Sequence, residues 1–147
     1  MADLQKGRNA YDKGDYATAV EEWKPLALAG DGGAQFNLAL MYDTGTGVAE
    51  DAEVAVKWYT LSALQGIVKA QTNLGVMYAT GRGTKPYSVM AYMWLHIASL
   101  NGDAGAVDAK KIIFNSMTQA QVEEAEKLAA VHIKKMEIGD NEPNKFN

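Results

Sequence analysis

The two histidines are the side chains whose type and spacing come nearest to a metal site. His96 and His132 are separated by 36 residues, since 132 − 96 = 36. On neighbouring helices, whose axes pack about 8–10 Å apart, two such imidazoles could share a metal ion or a carboxylate. No third ligand stands at helical spacing beside both of them, and two histidines alone make a poor zinc site. We therefore predict half-buried packing histidines, with no metal and no cofactor.

Two glycine pairs recur at the same interval and could be mistaken for phosphate-binding loops. They are Gly45 with Gly47 and Gly81 with Gly83, each in a Gly-x-Gly sequence. A dinucleotide site requires a third glycine, a preceding strand and a βαβ unit, and these are missing around both pairs. Recurrence at a fixed interval instead indicates turn glycines that end helices.

The sequence around the serines gives no indication of nucleophilic catalysis. No serine is followed by lysine three positions later, so the Ser-x-x-Lys signature of serine β-lactamases is absent. No Ser-His-acid set can be assembled either. The sequence therefore predicts that the chain is not an enzyme. The serines considered are Ser62, Ser88, Ser99 and Ser116.

The 36-residue spacing of the histidines recurs between other residues in the middle of the chain. Residues 34–66 recur as residues 70–102, since 70 − 34 and 102 − 66 both give 36. Fixed self-similarity of this length is typical of stacked repeats. The matched pairs are Ala34 and Ala70, Leu38 and Leu74, Tyr42 and Tyr78, Gly45 and Gly81, Gly47 and Gly83, Ala55 and Ala91, Trp58 and Trp94, and Gly66 and Gly102.

The residue types inside one copy predict two helices. Ala34, Leu38 and Tyr42 are four residues apart and form one stripe of an α-helix. Gly45 can end that helix because glycine adopts a positive φ without steric cost. Asp51 can begin the second helix by accepting hydrogen bonds from its exposed first-turn amides. One such pair cannot bury its apolar face alone, so the pairs must stack.

The first copy resembles a Sel1-like repeat through the pattern Ala34-x3-Leu38-x3-Tyr42-x2-Gly45-x-Gly47-Val48-x2-Asp51-x3-Ala55-x2-Trp58-Tyr59-x3-Ala63-x2-Gly66. The second copy departs from it at Thr84 and at Tyr87, which replaces the capping aspartate, while Pro86 favours a helix start. The resemblance implies an all-α fold: an α/α solenoid related to tetratricopeptide repeats, with antiparallel helix pairs in a right-handed superhelix.

The repeat boundaries predict a single domain over residues 3–138. It comprises an N-terminal tetratricopeptide-like pair at 3–30, repeats at 31–66 and 67–102, and a C-terminal capping pair at 103–138. Thr118 and Gln121 form a capping box at the start of the last helix. Pro25 should bend the helix that contains it. Residues 139–147 are polar and are predicted to be a disordered tail.

Charge and composition narrow the classes of partner. The net charge is −4 and the pI about 5.1, so no basic field favours nucleic acid. The apolar runs are too short to span a membrane, and cysteine is absent. No export signal follows Met1. In related bacterial proteins the mature region often begins at a residue of this kind, after a signal peptide has been cleaved. The resemblance therefore favours a periplasmic or secreted location over a cytoplasmic one.

The resemblance implies a protein–protein interaction module that binds a peptide or protein partner in a concave groove, as a monomer or with weak self-association. Two alternatives stay open. Some Sel1-like relatives are linked to cell-wall or β-lactam chemistry, and repeat edges could drive self-association of a purely structural unit.

The groove positions follow from the likeness to tetratricopeptide helices, in which the equivalents of Leu38 and Tyr42 are buried. The related clamps imply that the two asparagines of the groove bracket the backbone of an extended peptide while Lys69 holds a carboxylate. The alternative is that each asparagine bonds the backbone of the neighbouring helix and tightens the stack. The predicted groove residues are Phe36, Asn37, Leu40 and Asp43 in the second pair and Lys69, Thr72, Asn73, Val76 and Thr80 in the third.

Overall fold

The computed structural model describes residues 1–141, and this part of the chain contains eight α-helices and no strand. The fold is therefore all-α, as the sequence predicts. The helices are α1 (Leu4–Asp12), α2 (Tyr16–Leu28), α3 (Gly32–Thr44), α4 (Ala52–Leu64), α5 (Val68–Thr80), α6 (Ser88–Leu100), α7 (Ala104–Phe114) and α8 (Gln119–Asn141).

The helix starts keep the sequence period beyond the two copies that show it most clearly. Helices α2, α4 and α6 begin at residues 16, 52 and 88, and helices α3, α5 and α7 begin at 32, 68 and 104. Each helix from α1 to α6 packs against the next one along the chain. The result is a continuous stack of the kind expected for repeats that bury their faces only against neighbours.

The last two helices are arranged differently from the predicted C-terminal pair. Both α7 and α8 pack mainly against α6, and α7 also contacts α5. Helix α8 lies on α6 with Val122, Ala125 and Ala129 buried. The physical reason is the apolar surface of α6, in which nearly every residue from Ala91 to Ala98 is buried and needs covering.

Glycines close the repeat turns as predicted. Gly45 and Gly81 end α3 and α5 in the left-handed region, with φ of 68° and 72°. Their amides donate to the carbonyls of Met41 and Met77, which also accept from the following amides of Thr46 and Arg82, so the end of each helix is closed. Gly83 follows with a φ of 75°.

Some helices begin at a residue whose side chain caps the first turn, and others lack such a cap. Asp51 accepts from the Val54 amide at 3.1 Å, whereas Tyr87 provides no side-chain cap for α6. The capping box forms in both directions: the Thr118 amide donates to Gln121 Oε1 at 2.9 Å, and the Gln121 amide donates to Thr118 Oγ1 at 3.1 Å. Helix α2 continues through Pro25 to Leu28.

The buried residues form two clusters. The first core cluster comprises the buried residues Ala10, Ala19, Trp23, Ala27, Ala34, Leu38 and Met41. The second extends from Ala39 through Tyr59 and Trp94 to Ala129. Trp58 is half-buried and packs against both clusters. Tyr42 and Tyr78 are half-buried against the second.

The C-terminal helix reaches further than the sequence predicts. Helix α8 includes residues 139–141, which the predicted tail contained, while residues 142–147 of that tail lie outside the described part of the chain. Among the helices described, none has the length and apolar character needed to cross a membrane.

Candidate functional site

Three apolar side chains recur one period apart on α3, α5 and α7: Leu40, Val76 and Ile112. Their exposure increases along the stack, because Leu40 is half-buried while Val76 is 41% and Ile112 is 75% exposed. We call these three residues the apolar ladder. Exposed apolar side chains that adjoin one another commonly mark interaction sites.

A cleft of about 460 Å³ lies beside the C-terminal part of the ladder. Two hydroxyls line it, but both are bonded to nearby backbone carbonyls: Thr80 Oγ1 donates to the Val76 carbonyl and Ser116 Oγ to the Ile113 carbonyl, each at 2.9 Å. The cleft therefore presents a mainly apolar surface. Its lining comprises Val76, Ala79, Thr80, Leu95, Ala109, Ile112, Ile113 and Ser116.

A polar cluster joins the two central repeats. The buried Tyr59 donates its hydroxyl proton to Asp43 Oδ2 at 2.9 Å and accepts from Asn73 Nδ2 at 3.3 Å. Arg82 forms an ion pair with the same carboxylate and donates to the Asp43 carbonyl and to Glu50 Oε1, each at 2.8 Å. Burial raises the pKa of Tyr59, and the nearby Asp43 carboxylate raises it further, so the hydroxyl stays protonated.

The predicted groove residues do not act alike in the structure. Val76 and Thr80 line the apolar cleft. Asp43 and Asn73 are held in the polar cluster. The remaining residues are placed as follows: Phe36 packs on the ring of Tyr59 at 6.0 Å, Thr72 donates to Asp103, Leu40 belongs to the apolar ladder, Lys69 is exposed, and Asn37 is half-buried.

The two central repeats match a known family. The family model of the Sel1 repeat matches residues 32–67 and 68–103. This chain contains two Sel1 repeats. No curated protein matches it.

Solved Sel1-repeat structures share the fold. A protective antigen present in uropathogenic Escherichia coli strains, which displays the same repeat fold, is 27% identical to this chain with a TM-score of 0.83. A Sel1 repeat protein from Oxalobacter formigenes is also 27% identical, with a TM-score of 0.73. The alignments cover 96% and 88% of this chain but only 32% and 56% of those two chains. The sequence thus spans about a third of the length of the first relative and just over half of the length of the second.

The two asparagines of the Sel1 repeats differ in their partners. Asn73 bonds the Tyr59 hydroxyl, but one period earlier the tyrosine position is Trp23, whose indole N–H donates to the Leu4 carbonyl at 3.1 Å. In the described part of the chain, Asn37 makes no side-chain hydrogen bond. Asn73 thus bonds a side chain of the neighbouring helix, not the backbone that the stack-tightening alternative predicts, whereas Asn37 has no such bond.

Replacing each asparagine by alanine should separate these roles. We expect Asn73→Ala to lower the free energy of unfolding by about 1 kcal/mol, because the Tyr59 hydroxyl loses a donor. Asn37→Ala should change it by less than about 0.5 kcal/mol. Urea unfolding followed by circular dichroism measures both. Equal losses for the two variants would contradict the assignment.

Sequence reasoning missed six of the eight residues that line the cleft. Four of them follow Gly102, where the repeat consensus fades: Ala109, Ile112, Ile113 and Ser116. The other two, Ala79 and Leu95, lie within the second Sel1 repeat but were not among the predicted groove positions. The available signal was the period itself: Ile112 follows Val76, and Ser116 follows Thr80, at the interval that separates the two Sel1 repeats.

The histidines have separate surroundings. The His96 ring stacks on Tyr92 at 6.0 Å, and its Nδ1 lies 3.1 Å from Lys110 Nζ. His132 packs on Trp94 at 5.5 Å. Within the described residues, no three side chains of His, Cys, Asp or Glu are grouped so that they could hold a metal ion.

Both histidines should make stability depend on pH. Burial lowers the pKa of His96, with Lys110 adding to the effect and Glu126 opposing it; burial and then Lys135 lower the pKa of His132. Below about pH 6.5 the histidines bind protons in the unfolded chain more readily than in the folded chain. The free energy of unfolding therefore falls as the pH is lowered, and it levels off below the folded pKa values of the two histidines.

We expect the melting temperature to fall between about pH 7.5 and pH 5, and the double variant His96→Gln/His132→Gln to show a shallower fall. Differential scanning calorimetry across this range is the measurement. An unchanged slope in the double variant would assign the pH dependence to other groups.

Proposed function

We propose that this Sel1-repeat protein is a protein–protein interaction module that holds a peptide or protein partner along the apolar ladder. The observation that carries the proposal is the cleft of about 460 Å³ beside Val76 and Ile112, both exposed to solvent. Sel1 repeats are commonly interaction modules. Stacked repeats suit this role because they present a long surface to an extended partner.

The cleft chemistry favours binding over catalysis. None of the residues that line it is titratable, and its hydroxyls at Thr80 and Ser116 are engaged by backbone carbonyls. No acid or base in the cleft lining is therefore at hand to activate either hydroxyl. A partner side chain that buries about 100 Å² of apolar surface here would contribute about 2.5 kcal/mol before ordering costs.

The polar groups beside the ladder would hold the partner's backbone. Asn37 lies one helical turn before Leu40 and offers an N–H donor and a carbonyl acceptor from one side chain. That combination pairs with peptide backbone whatever its side chains are. In this proposal the apolar cleft supplies specificity, and Lys69 attracts an acidic residue or terminal carboxylate.

A peptide-display selection on the purified protein tests the proposal, because a random library contains ligands for the cleft whichever partner the protein has. We expect the selected peptides to contain a large apolar residue. Their affinity should fall tenfold or more when Val76→Glu or Ile112→Glu places a charge in the cleft, which is about 1.4 kcal/mol or more. Fluorescence anisotropy with the labelled peptides measures the change.

The matched control is Leu61→Glu. Leu61 lies on α4, is 46% exposed and does not line the cleft, so its variant should bind like the unaltered protein. Equal weakening by Leu61→Glu, or no weakening by either cleft variant, would place the binding surface elsewhere.

A further inference from the structure

Two buried glutamines occupy equivalent places where one repeat meets the next. Gln35 Nε2 donates to the Ala27 carbonyl and Gln71 Nε2 to the Ala63 carbonyl, both at 3.1 Å. These bonds fix the orientation of each amide, so each carboxamide oxygen needs a donor from elsewhere. At the first position Gln65 supplies it, because Gln65 Nε2 donates to Gln35 Oε1 at 2.8 Å.

The second position lacks this donor because of one sequence change. The residue one period after Gln65 is Asn101, which is shorter by one methylene. Asn101 Nδ2 instead donates to the Ile97 carbonyl of its own helix at 3.0 Å. Gln71 is only 1% exposed, and its Oε1 has no hydrogen-bond partner in the described part of the chain. A buried acceptor without a donor is costly and calls for an explanation.

Gln71 and Asn101 both line a cleft of about 270 Å³ between the turn after α4 and residues 133–137 of α8. Ile97, Ile133 and Met136 give it apolar walls, and Met136 Sδ lies 3.8 Å from Gln71 Nε2. Glu137 adds a carboxylate to the lining. The cleft is distinct from the one beside the apolar ladder, with which it shares no lining residue.

The hydrogen-bonding groups of this cleft are biased towards acceptors. Three carboxamides line it, those of Gln65, Gln71 and Asn101, and each donates at least one N–H to another part of the chain. Gln71 donates both, to Ala63 and to Met136, so its only remaining hydrogen-bonding group is the unpartnered oxygen. Such a set accepts hydrogen bonds from a cation with several N–H donors, and the apolar walls suit the methylenes attached to it.

We propose that this cleft, which we call the carboxamide cleft, binds a primary alkylammonium group. Its three N–H donors match Gln71 Oε1 and the neighbouring oxygens, and its alkyl chain packs against Ile97 and Ile133. The group could be a free aliphatic amine or the side chain of a lysine in a partner protein.

The test is a titration of the isotope-labelled protein with n-butylammonium chloride, followed through the side-chain amide signals in NMR spectra. We expect a saturable shift of the Gln71 amide signals below about 50 mM ligand. Sodium chloride, ammonium chloride and n-butanol at equal concentration should not reproduce it. No saturable shift, or an equal shift with n-butanol, would overturn the proposal.

Asn101→Gln provides the decisive variant, because it restores the longer side chain that satisfies Gln35 at the first position. We expect it to raise the melting temperature and to weaken n-butylammonium binding at least tenfold. Asn115→Gln makes the same chemical change at the end of α7, away from the cleft, and should leave binding unaltered. Undiminished binding to Asn101→Gln would overturn the proposal.

A second titration distinguishes the two sources of the group. Nα-acetyl-lysine N-methylamide carries the same ammonium with peptide backbone around it. Tighter binding of this compound than of n-butylammonium indicates a partner lysine, and the reverse indicates a free amine. Both results require the loss of binding in Asn101→Gln, so each supports the site while naming its ligand.

Discussion

Replacing Gly83 with alanine is expected to lower the free energy of unfolding by about 3 kcal/mol or more. Gly83 has a φ of 75°, which strains any residue with a side chain. An added Cβ would also collide with the Ala52 carbonyl, at 2.6 Å from its carbon. Because this carbonyl is backbone at the start of α4, it cannot move without shifting the helix. The loss therefore combines conformational strain with a broken contact between repeats.

Gly66→Ala is the control that separates these two contributions. Gly66 also has a positive φ, 88°, but an added Cβ there meets no atom within 4 Å. It should lose only the strain, about 1 kcal/mol. Urea unfolding of both variants gives the difference, which is the cost of the collision. Equal losses would show that the contact between Gly83 and Ala52 has no energetic role.

The second large effect is expected at Asp43. Replacing Asp43 with alanine should cost about 2–3 kcal/mol, because the buried Tyr59 hydroxyl loses its acceptor and Arg82 loses one of its two ion-pair partners and keeps only Glu50. Asp43→Asn keeps an acceptor without the charge and should lose about half as much.

A double-mutant cycle with Tyr59→Phe measures the bond itself. Tyr59→Phe removes the hydroxyl, so adding Asp43→Ala to it should cost less than Asp43→Ala costs alone. The comparison is made by urea unfolding at neutral pH, where Tyr59 is protonated. Strict additivity of the two changes would mean that the hydrogen bond contributes nothing to stability.

The repeat architecture was predictable because it depends on residues that recur. The same turn occurs twice, at Gly45 and at Gly81, and the interval between Trp58 and Trp94 gives the same period. Local rules also held where the partners are close in sequence: the Thr118–Gln121 capping box is formed by residues three apart. Such features are decided by short-range geometry.

Contacts between residues far apart in sequence were not predictable. Arg82 lies in a turn, and nothing in its sequence neighbourhood indicates that it reaches Asp43 in the preceding repeat. Asn73 has a hydrogen-bond partner in Tyr59, whereas the residue equivalent to Tyr59 one period earlier is Trp23, whose N–H bonds the Leu4 carbonyl. Asn37 therefore lacks the partner that Asn73 has. Equivalent positions in a repeat predict equivalent backbone, whereas their hydrogen bonds depend on neighbours that have changed.

The sharing of α3 between the two core clusters should govern which parts of the chain open first. Leu38 and Met41 belong to the first cluster, whereas Ala39 on the same helix belongs to the second. Helices α1 and α2 can therefore detach in a partial opening that leaves the second cluster closed, and their amide protons exchange through it. Amides in α3 exchange with solvent only when both clusters open, so α3 sets the limit of N-terminal fraying.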